Sequence, residues 1–314
     1  MTFKLGESKR SKPYLFADLA ELIIAVRYDN NDELSQAKLT HLSKEMAEDL
    51  DEEDFTPDIS LENCWSLLDY RQTVFGEFYP FKIEKNRLIW KSKTRSEKQS
   101  LYLFLLVCSR LRSFDNKNGI HQNAAKAFTI ICREALQTLA GEFAKVRIFD
   151  ANSEDRQTYY GTNLKEAMIK LAKEMGAKSI DETEIEKLHH AGDYGLDLIA
   201  VHHFNDGAAG SYNIVGQCGA QEEGWLDKTL EAHPVKFKGL FTLLNEPDNL
   251  MFIPLSYRNE SGEWVATHNV SGCLLIDRQR ILQLLDKRWI DVSTIFQIKN
   301  TYHSLLRDIC PEFP

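Results

Sequence analysis

Much that would assign a class is missing from this sequence. The longest strongly apolar stretch covers residues 101–107, far short of the roughly 20 residues a bilayer span needs. The opening residues, MTFKLGESKRSK, have no apolar core of the kind a signal peptide requires. A cytoplasmic protein without membrane contact is therefore expected. Cysteine is sparse and scattered, at 64, 108, 132, 218, 273 and 310, without a CxxC pair. In a chain of 314 residues that pattern reads as reduced thiols, not as a disulfide framework or a structural zinc knuckle. Basic charge is in deficit: 38 Lys and Arg stand against 47 Asp and Glu, a net −9. No whole-surface attraction to nucleic acid is available, so any phosphate contact must come from a local basic patch or a partner. No repeat of solenoid or propeller period occurs. There is no G-x-x-x-x-G-K-[ST] loop, no G-x-G-x-x-G after a strand and no G-x-S-x-G elbow. ATPase, dinucleotide and α/β-hydrolase readings have no anchor.

What is present is an ordinary globular composition, 43% hydrophobic and 11% aromatic. Up to about residue 120 the pattern is mostly helical, over 15–26, 34–50 and 96–112, with a small hairpin at 81–83 and 87–90. An acidic run at 48–54 reads as a solvated helix end. The polar loop 115–119 divides an N-terminal helical domain, 1–119, from a second domain, 120–314. Beyond it, helices are expected over 123–140, 163–175 (capped by Thr162), 181–190 and 222–232. Strands are expected over 145–149, 196–204, 212–218, 250–254, 264–267 and 272–276, before two closing helices up to 306. That order predicts an α/β fold with a mixed sheet.

The most informative segments are Gly192-Asp193-Tyr194-Gly195-Leu196-Asp197-Leu198-Ile199-Ala200-Val201 and Ile214-Val215-Gly216-Gln217-Cys218-Gly219. Asp197 heads an otherwise apolar strand, and Gln217 interrupts the facing one. Burying a carboxylate is costly unless it is paired or holds a cation. A hairpin can return the two oxygen-bearing side chains to one place, as a magnesium site requires. The bland alternative is that Asp197 caps the turn at Gly195 and Gln217 satisfies a strand edge. Asp193 reads as a turn residue, or as one that supports a ligand from behind, rather than as a ligand itself. Histidines 189, 190, 202 and 203 flank the hairpin, but adjacent histidines on a strand point to opposite sides, which disfavours zinc.

An Asp opening one strand and an (Asp/Glu/Gln)-x-Lys on the next is the core pattern of the PD-(D/E)xK, or restriction-endonuclease-like, nucleases. The Gly-x-Asp-Leu-Ile-Ala and Gln-Cys segments resemble its Mrr-like branch over about residues 123–255. The resemblance implies a restriction-endonuclease-like mixed sheet flanked by helices, with Mg²⁺ (or Mn²⁺) held by Asp197 and Gln217. It also implies DNA as substrate and a bacterial antiphage or restriction assembly as setting, with a protein partner or a homo-oligomer. Gly219 departs from it, standing where the family's lysine should be. Lys228 on the next helix is the candidate replacement, and a glycine at 219 would leave room for its ammonium. Glu134 shares a helical face with Ala127, Ile130, Ile131 and Thr138. In the related nucleases a first-helix Glu often completes the metal site, while a salt bridge to the neighbours of Arg133 or to the N-terminal domain is the alternative. Phosphate grip could come from Lys165, Lys170 and Lys173, or from Lys91, Lys93 and Arg95. The competing function is a catalytically silent nuclease-like module for nucleic-acid binding or assembly, favoured by the missing Q-x-K lysine.

Overall fold

The computed structural model describes residues 12–27, 32–48, 57–116, 119–222, 224–288 and 306–307. The first helix, α1 (Pro13–Ala25), begins on a proline, whose fixed φ suits a first helical position. It is buried all round from Tyr14 to Ala25, Asp18 and Glu21 included. A short strand, β1 (Glu33–Ser35), replaces the start of the helix expected from 34, and α2 (Gln36–Glu48) comes directly after it. After α3 (Pro57–Val74), the expected hairpin forms as β2 (Phe81–Glu84) and β3 (Arg87–Trp90). Its turn residues Lys85 and Asn86 both have positive φ, 51° and 58°, as a two-residue hairpin turn demands. Helix α4 (Glu97–Ser109) starts in a capping box: the Gln99 amide donates to Ser96 Oγ and the Ser96 amide to Gln99 Oε1.

The second half is built on α5 (Ile120–Ala140), β4 (Lys145–Ile148), α6 (Leu164–Glu174), β5 (Ser179–Ile180) and α7 (Glu182–Ile185). Then come β6 (Leu198–His202), β7 (Tyr212–Cys218), α8 (Trp225–Lys228), β8 (Phe241–Thr242), β9 (Asp248–Phe252), β10 (Leu274–Ile276) and α9 (Arg278–Asp286). Five strands form a mixed sheet in the order β10-β9-β7-β6-β4. Strand β6 is antiparallel to both β4 and β7, whereas β9 is parallel to both β7 and β10. The mixed α/β plan read from the sequence is thus present, with helices flanking the sheet.

Several elements differ from the sequence reading. Asn163, not Thr162, caps α6, its side chain accepting from the Lys165 amide at 2.9 Å. Helices α7 and α8 are four residues each, shorter than the periodicity suggests. Residues 264–267 form no strand: Trp264 makes an isolated bridge with Arg258 and is covered by the Arg258 and Arg280 guanidinium groups, 3.7 and 4.7 Å from its ring centre. Its ring is covered by these cations and by packing against Tyr257 rather than by sheet pairing. The side chains of the acidic run 48–54 and residues 117 and 118 of the 115–119 loop lie outside the described residues, as does most of the chain after 288.

Side chains alternate across the sheet with the strand period of two. Leu198, Ala200 and Ile214 join a buried cluster that also takes in α1, α4, α5 and α9. Ile199, Val201 and Val215 face the other way, into a second cluster with Met168 and Leu171 of α6, Phe237 and Phe241. One continuous core therefore links the first helices to one face of the sheet. At its centre lies an ion cluster with no solvent exposure, formed by Asp18 and Glu21 of α1, Arg71 of α3 and Arg278 of α9. Among the described residues no helix is long and apolar enough to cross a membrane.

Candidate metal centre

In an antiparallel pair, the end of one strand lies beside the start of its neighbour. Strand β4 ends with Ile148 opposite Leu198, the first residue of β6, and the Phe149 amide donates to the Asp197 carbonyl at 2.7 Å. On the other side, Leu198 pairs with Gly216, so one step further the register sets Asp197 opposite Gln217. The Cys218 amide donates to Asp197 Oδ2 at 2.7 Å and fixes that carboxylate at the sheet's end. Asp197, Gln217 and Lys228 all line one cleft of about 900 Å³, whose opposite wall is α5. Sequence reasoning brought these three together, and so does the fold.

Two further carboxylates reach the same place. Asp150 lies two residues beyond β4, where the chain turns back on itself. The turn is tied by Asp155 Oδ2 accepting from the Ile148 amide, by Ser153 Oγ donating to the Ile148 carbonyl, and by Asp150 Oδ1 accepting from the Asn152 amide. Asp193 accepts from the Gly195 amide at 2.9 Å, so it is indeed a turn residue, yet it also faces the cleft. One oxygen each from Asp150, Asp193 and Asp197 lie within 4.8 Å of one another. Among the described residues this is the one group of three or more acidic, histidine or cysteine side chains so arranged, and it contains no histidine. His202 instead has a ring nitrogen 2.6 Å from the Ala140 carbonyl.

Gln217 adds an independent sign. It is only 5% exposed, and its Oε1 has no hydrogen-bond partner among the described residues. Its Nε2 donates to Glu231 Oε2 at 3.4 Å, which directs the amide but leaves the carbonyl oxygen unused. A buried acceptor left unpaired costs on the order of 1–3 kcal/mol unless something fills it. The three carboxylates, joined by the Gln217 oxygen that lines the same cleft, would give an all-oxygen donor set suited to a hard divalent cation such as Mg²⁺ or Mn²⁺. Glycine is needed at 195, where φ is +77° and an added Cβ would sit 2.8 Å from the Glu231 carbonyl oxygen. This close approach brings Glu231 against the 193–197 loop.

Burial pushes the Asp197 carboxyl up to about 7, and the neighbouring Asp193 and Asp150 carboxylates add to the rise. The Cys218 amide and the Lys228 ammonium pull the other way. The folded state therefore keeps a proton on Asp197 at pH values where the unfolded chain has lost it. Metal-free stability should fall as pH rises from about 4 to about 7, by as much as about 1.4 kcal/mol per pH unit from this group. A cation needs the ionised carboxylate, so stabilisation by Mn²⁺ should grow over the same range. Thermal melts at pH 5.5 and pH 8, with and without Mn²⁺, check both slopes. Equal Mn²⁺ shifts at the two pH values would contradict the assignment.

Other expected residues fall elsewhere. Glu134 does not line the cleft: its Oε1 accepts from Arg133 Nε and Nη2 at 3.0 and 2.7 Å. Its ion pair is with Arg133 itself rather than with that residue's neighbours or the N-terminal domain, and the carboxylates near Asp197 are Asp150 and Asp193. The room at Gly219 is not open to Lys228 either. A Cβ there would be 2.6 Å from the Met251 methyl carbon and 3.2 Å from Trp225 Cβ, so apolar packing fills the family's lysine position. Lys165 pairs with Glu186 at 3.0 Å, and Arg95 lies 3.8 Å over the Trp90 ring. The cations that do line the cleft besides Lys228 are Lys126 and Arg133, two turns apart on α5. Asp150 was legible in principle, because it comes just after a short strand at the sheet end where Asp197 begins the next. Comparison with known proteins finds no matching family model, no matching curated protein and no matching solved structure.

Proposed function

We propose that this chain is a metal-dependent nuclease of restriction-endonuclease-like type that hydrolyses DNA phosphodiester bonds. The observation carrying the reading is the convergence of Asp150, Asp193 and Asp197 in a cleft that the buried Gln217, with its unpartnered oxygen, also lines. The element order supports the resemblance: α5, then β4, β6 and β7 in antiparallel succession, then α8 and the parallel β9. Asp150, Asp193, Asp197 and Gln217 would hold Mg²⁺ or Mn²⁺. Bound there, the cation supplies Lewis-acid stabilisation of charge on a phosphate oxygen.

The chain's own groups do the rest. Lys228 faces the same cleft and supplies a positive charge to the phosphoryl group as negative charge develops on it. Lys126 and Arg133 line the same cleft from α5 and would add positive charge for backbone phosphates, Arg133 sharing its guanidinium with Glu134. With a net charge of −9, the chain gains little from general attraction to DNA, which suits a subunit delivered to its substrate by a partner. The second reading, a silent nuclease-like module, draws on one observation: Met251 and Trp225 close off the lysine position at Gly219.

A plasmid-cleavage assay with Mg²⁺ or Mn²⁺, with and without EDTA, separates the two. Cleavage that EDTA abolishes is expected. Lys228→Ala should lower its rate by about 10²–10³, the usual effect of deleting one preorganised electrostatic group. Mn²⁺ binding should survive that change, and the exposed Lys236→Ala serves as the unaffected control. Full activity in Lys228→Ala would remove the lysine from the mechanism. Tight Mn²⁺ binding without any cleavage by wild type would favour the silent module.

A further inference from the structure

Three carboxylates held this close repel one another, and two of them sit on separate loops that no sheet hydrogen bond joins. Arg156 lies directly behind those loops, with no solvent exposure. Its Nη1 donates to the Phe149 carbonyl at 3.3 Å and to the Gly192 carbonyl at 3.4 Å. These are the residues immediately before Asp150 and Asp193. Its Nε donates to the Gly161 carbonyl at 2.9 Å, and its guanidinium carbon lies 4.3 Å from the centre of the Phe149 ring. The backbone amide of Arg156 is itself tied to Ser153 Oγ at 3.0 Å, within the turn that carries Asp150. Asp193 and Asp150 are the acids whose charges act most strongly on the guanidinium.

We propose that Arg156 is a positioning residue for the metal centre: it clamps the Asp150 and Asp193 loops together and offsets the charge of the acid triad from behind. Arginine suits the task better than any other side chain. From one rigid planar group, Nη1 meets both loop carbonyls while Nε holds Gly161, and the guanidinium stays protonated when buried. It has no lone pair to offer a metal, so it supports the site without competing for a place in it. Its Nη2 has no hydrogen-bond partner among the described residues, so geometry at the two loop carbonyls, not full satisfaction of the guanidinium, explains why it is held here.

The inference rests on the metal reading above, and the experiment keeps the two apart. Mn²⁺ binding to the full-length chain is titrated by electron paramagnetic resonance for wild type, Arg156→Met, Arg156→Lys and Asp197→Asn, with metal-free melts in parallel. Arg156→Met should weaken Mn²⁺ binding on the order of 10- to 100-fold, as loss of a group supporting metal ligands does. Arg156→Lys keeps the charge but not the fork and should lose about tenfold. If Arg156→Met lowers only the metal-free melting temperature and binds Mn²⁺ like wild type, the residue is merely structural and the proposal fails. Should Arg156→Met not fold, wild-type affinity in Arg156→Lys overturns the clamp. Wild type that binds no Mn²⁺ removes the metal reading and this inference together. Binding by wild type that is lost in Asp197→Asn but kept in both Arg156 variants removes this inference alone.

Discussion

Asp197→Asn is expected to abolish Mn²⁺ binding and to lower DNA cleavage on the order of 10³-fold or more. The substitution keeps the shape of the side chain and an oxygen that can accept from the Cys218 amide, now 2.7 Å away. What it removes is the charge that a cation needs. Metal stabilisation of a phosphoryl transition state is worth several kcal/mol, and each 1.36 kcal/mol is about tenfold in rate. Misfolding would mimic this loss, but stability distinguishes the two. Asparagine cannot carry the charge that burial opposes at this position, so the metal-free variant should be more stable than wild type at pH 8. It should also gain nothing from Mn²⁺. An inactive variant that melts below wild type at pH 8 would mean the fold, not the site, was lost. Combined with Lys228→Ala, the defect should be smaller than the product of the two, because in the proposed nuclease both groups would act on one reacting phosphate.

Asp18→Ala is expected to destabilise the protein by about 3–5 kcal/mol, enough to consume much of a typical domain's stability. Asp18 is fully buried and receives Arg71 Nη1 at 2.8 Å, Arg278 Nη2 at 2.8 Å and Ser109 Oγ at 2.8 Å. Glu21 takes Arg71 at 3.0 Å, Tyr79 at 2.9 Å and Tyr102 at 2.7 Å. Two acids and two arginines balance; removing one acid leaves a buried cation without its partner. Burial opposes ionisation of Asp18, but Arg278 and Arg71 outweigh it and hold the carboxyl below its ordinary value. Its stabilising effect is therefore present above the unfolded value near 4 and lost only as pH falls through the lower folded value. Urea denaturation at pH 7 measures the cost. Adding Arg278→Met to Asp18→Ala should recover part of it, since a cation and its counter-charge are then both gone. Additive losses in the double variant would show that the cluster is not the coupled unit its geometry describes.

These two residues mark the boundary between what was legible and what was not. Asp197 and Gln217 stood out because each breaks an apolar strand, and strand alternation with a short hairpin leaves little freedom in how they meet. The same local regularity made α1, α4, α5, β2, β3 and β7 readable, since period and caps are set by neighbours within a few residues. Asp18 and Glu21 break an apolar helix in the same way, but the arginines that meet Asp18 stand at 71 and 278, beyond any local pattern. Glu134 shows the limit of the face argument, because its charge was met by the adjacent Arg133. The contact of Gly195 with the backbone of Glu231 likewise joins separate segments and has no local signature.

The sequence by itself determined the secondary structure of the long periodic segments, the mixed α/β class and the pairing of Asp197 with Gln217, because all three arise from spacing along one or two neighbouring elements. Only the tertiary structure decided that Asp150 and Asp193 join them, that Arg156 stands behind both loops, and that Met251 and Trp225 fill the place at Gly219. Those are contacts between separate segments, fixed by how the sheet and its loops pack and by the need to balance buried charge, and no local pattern encodes them.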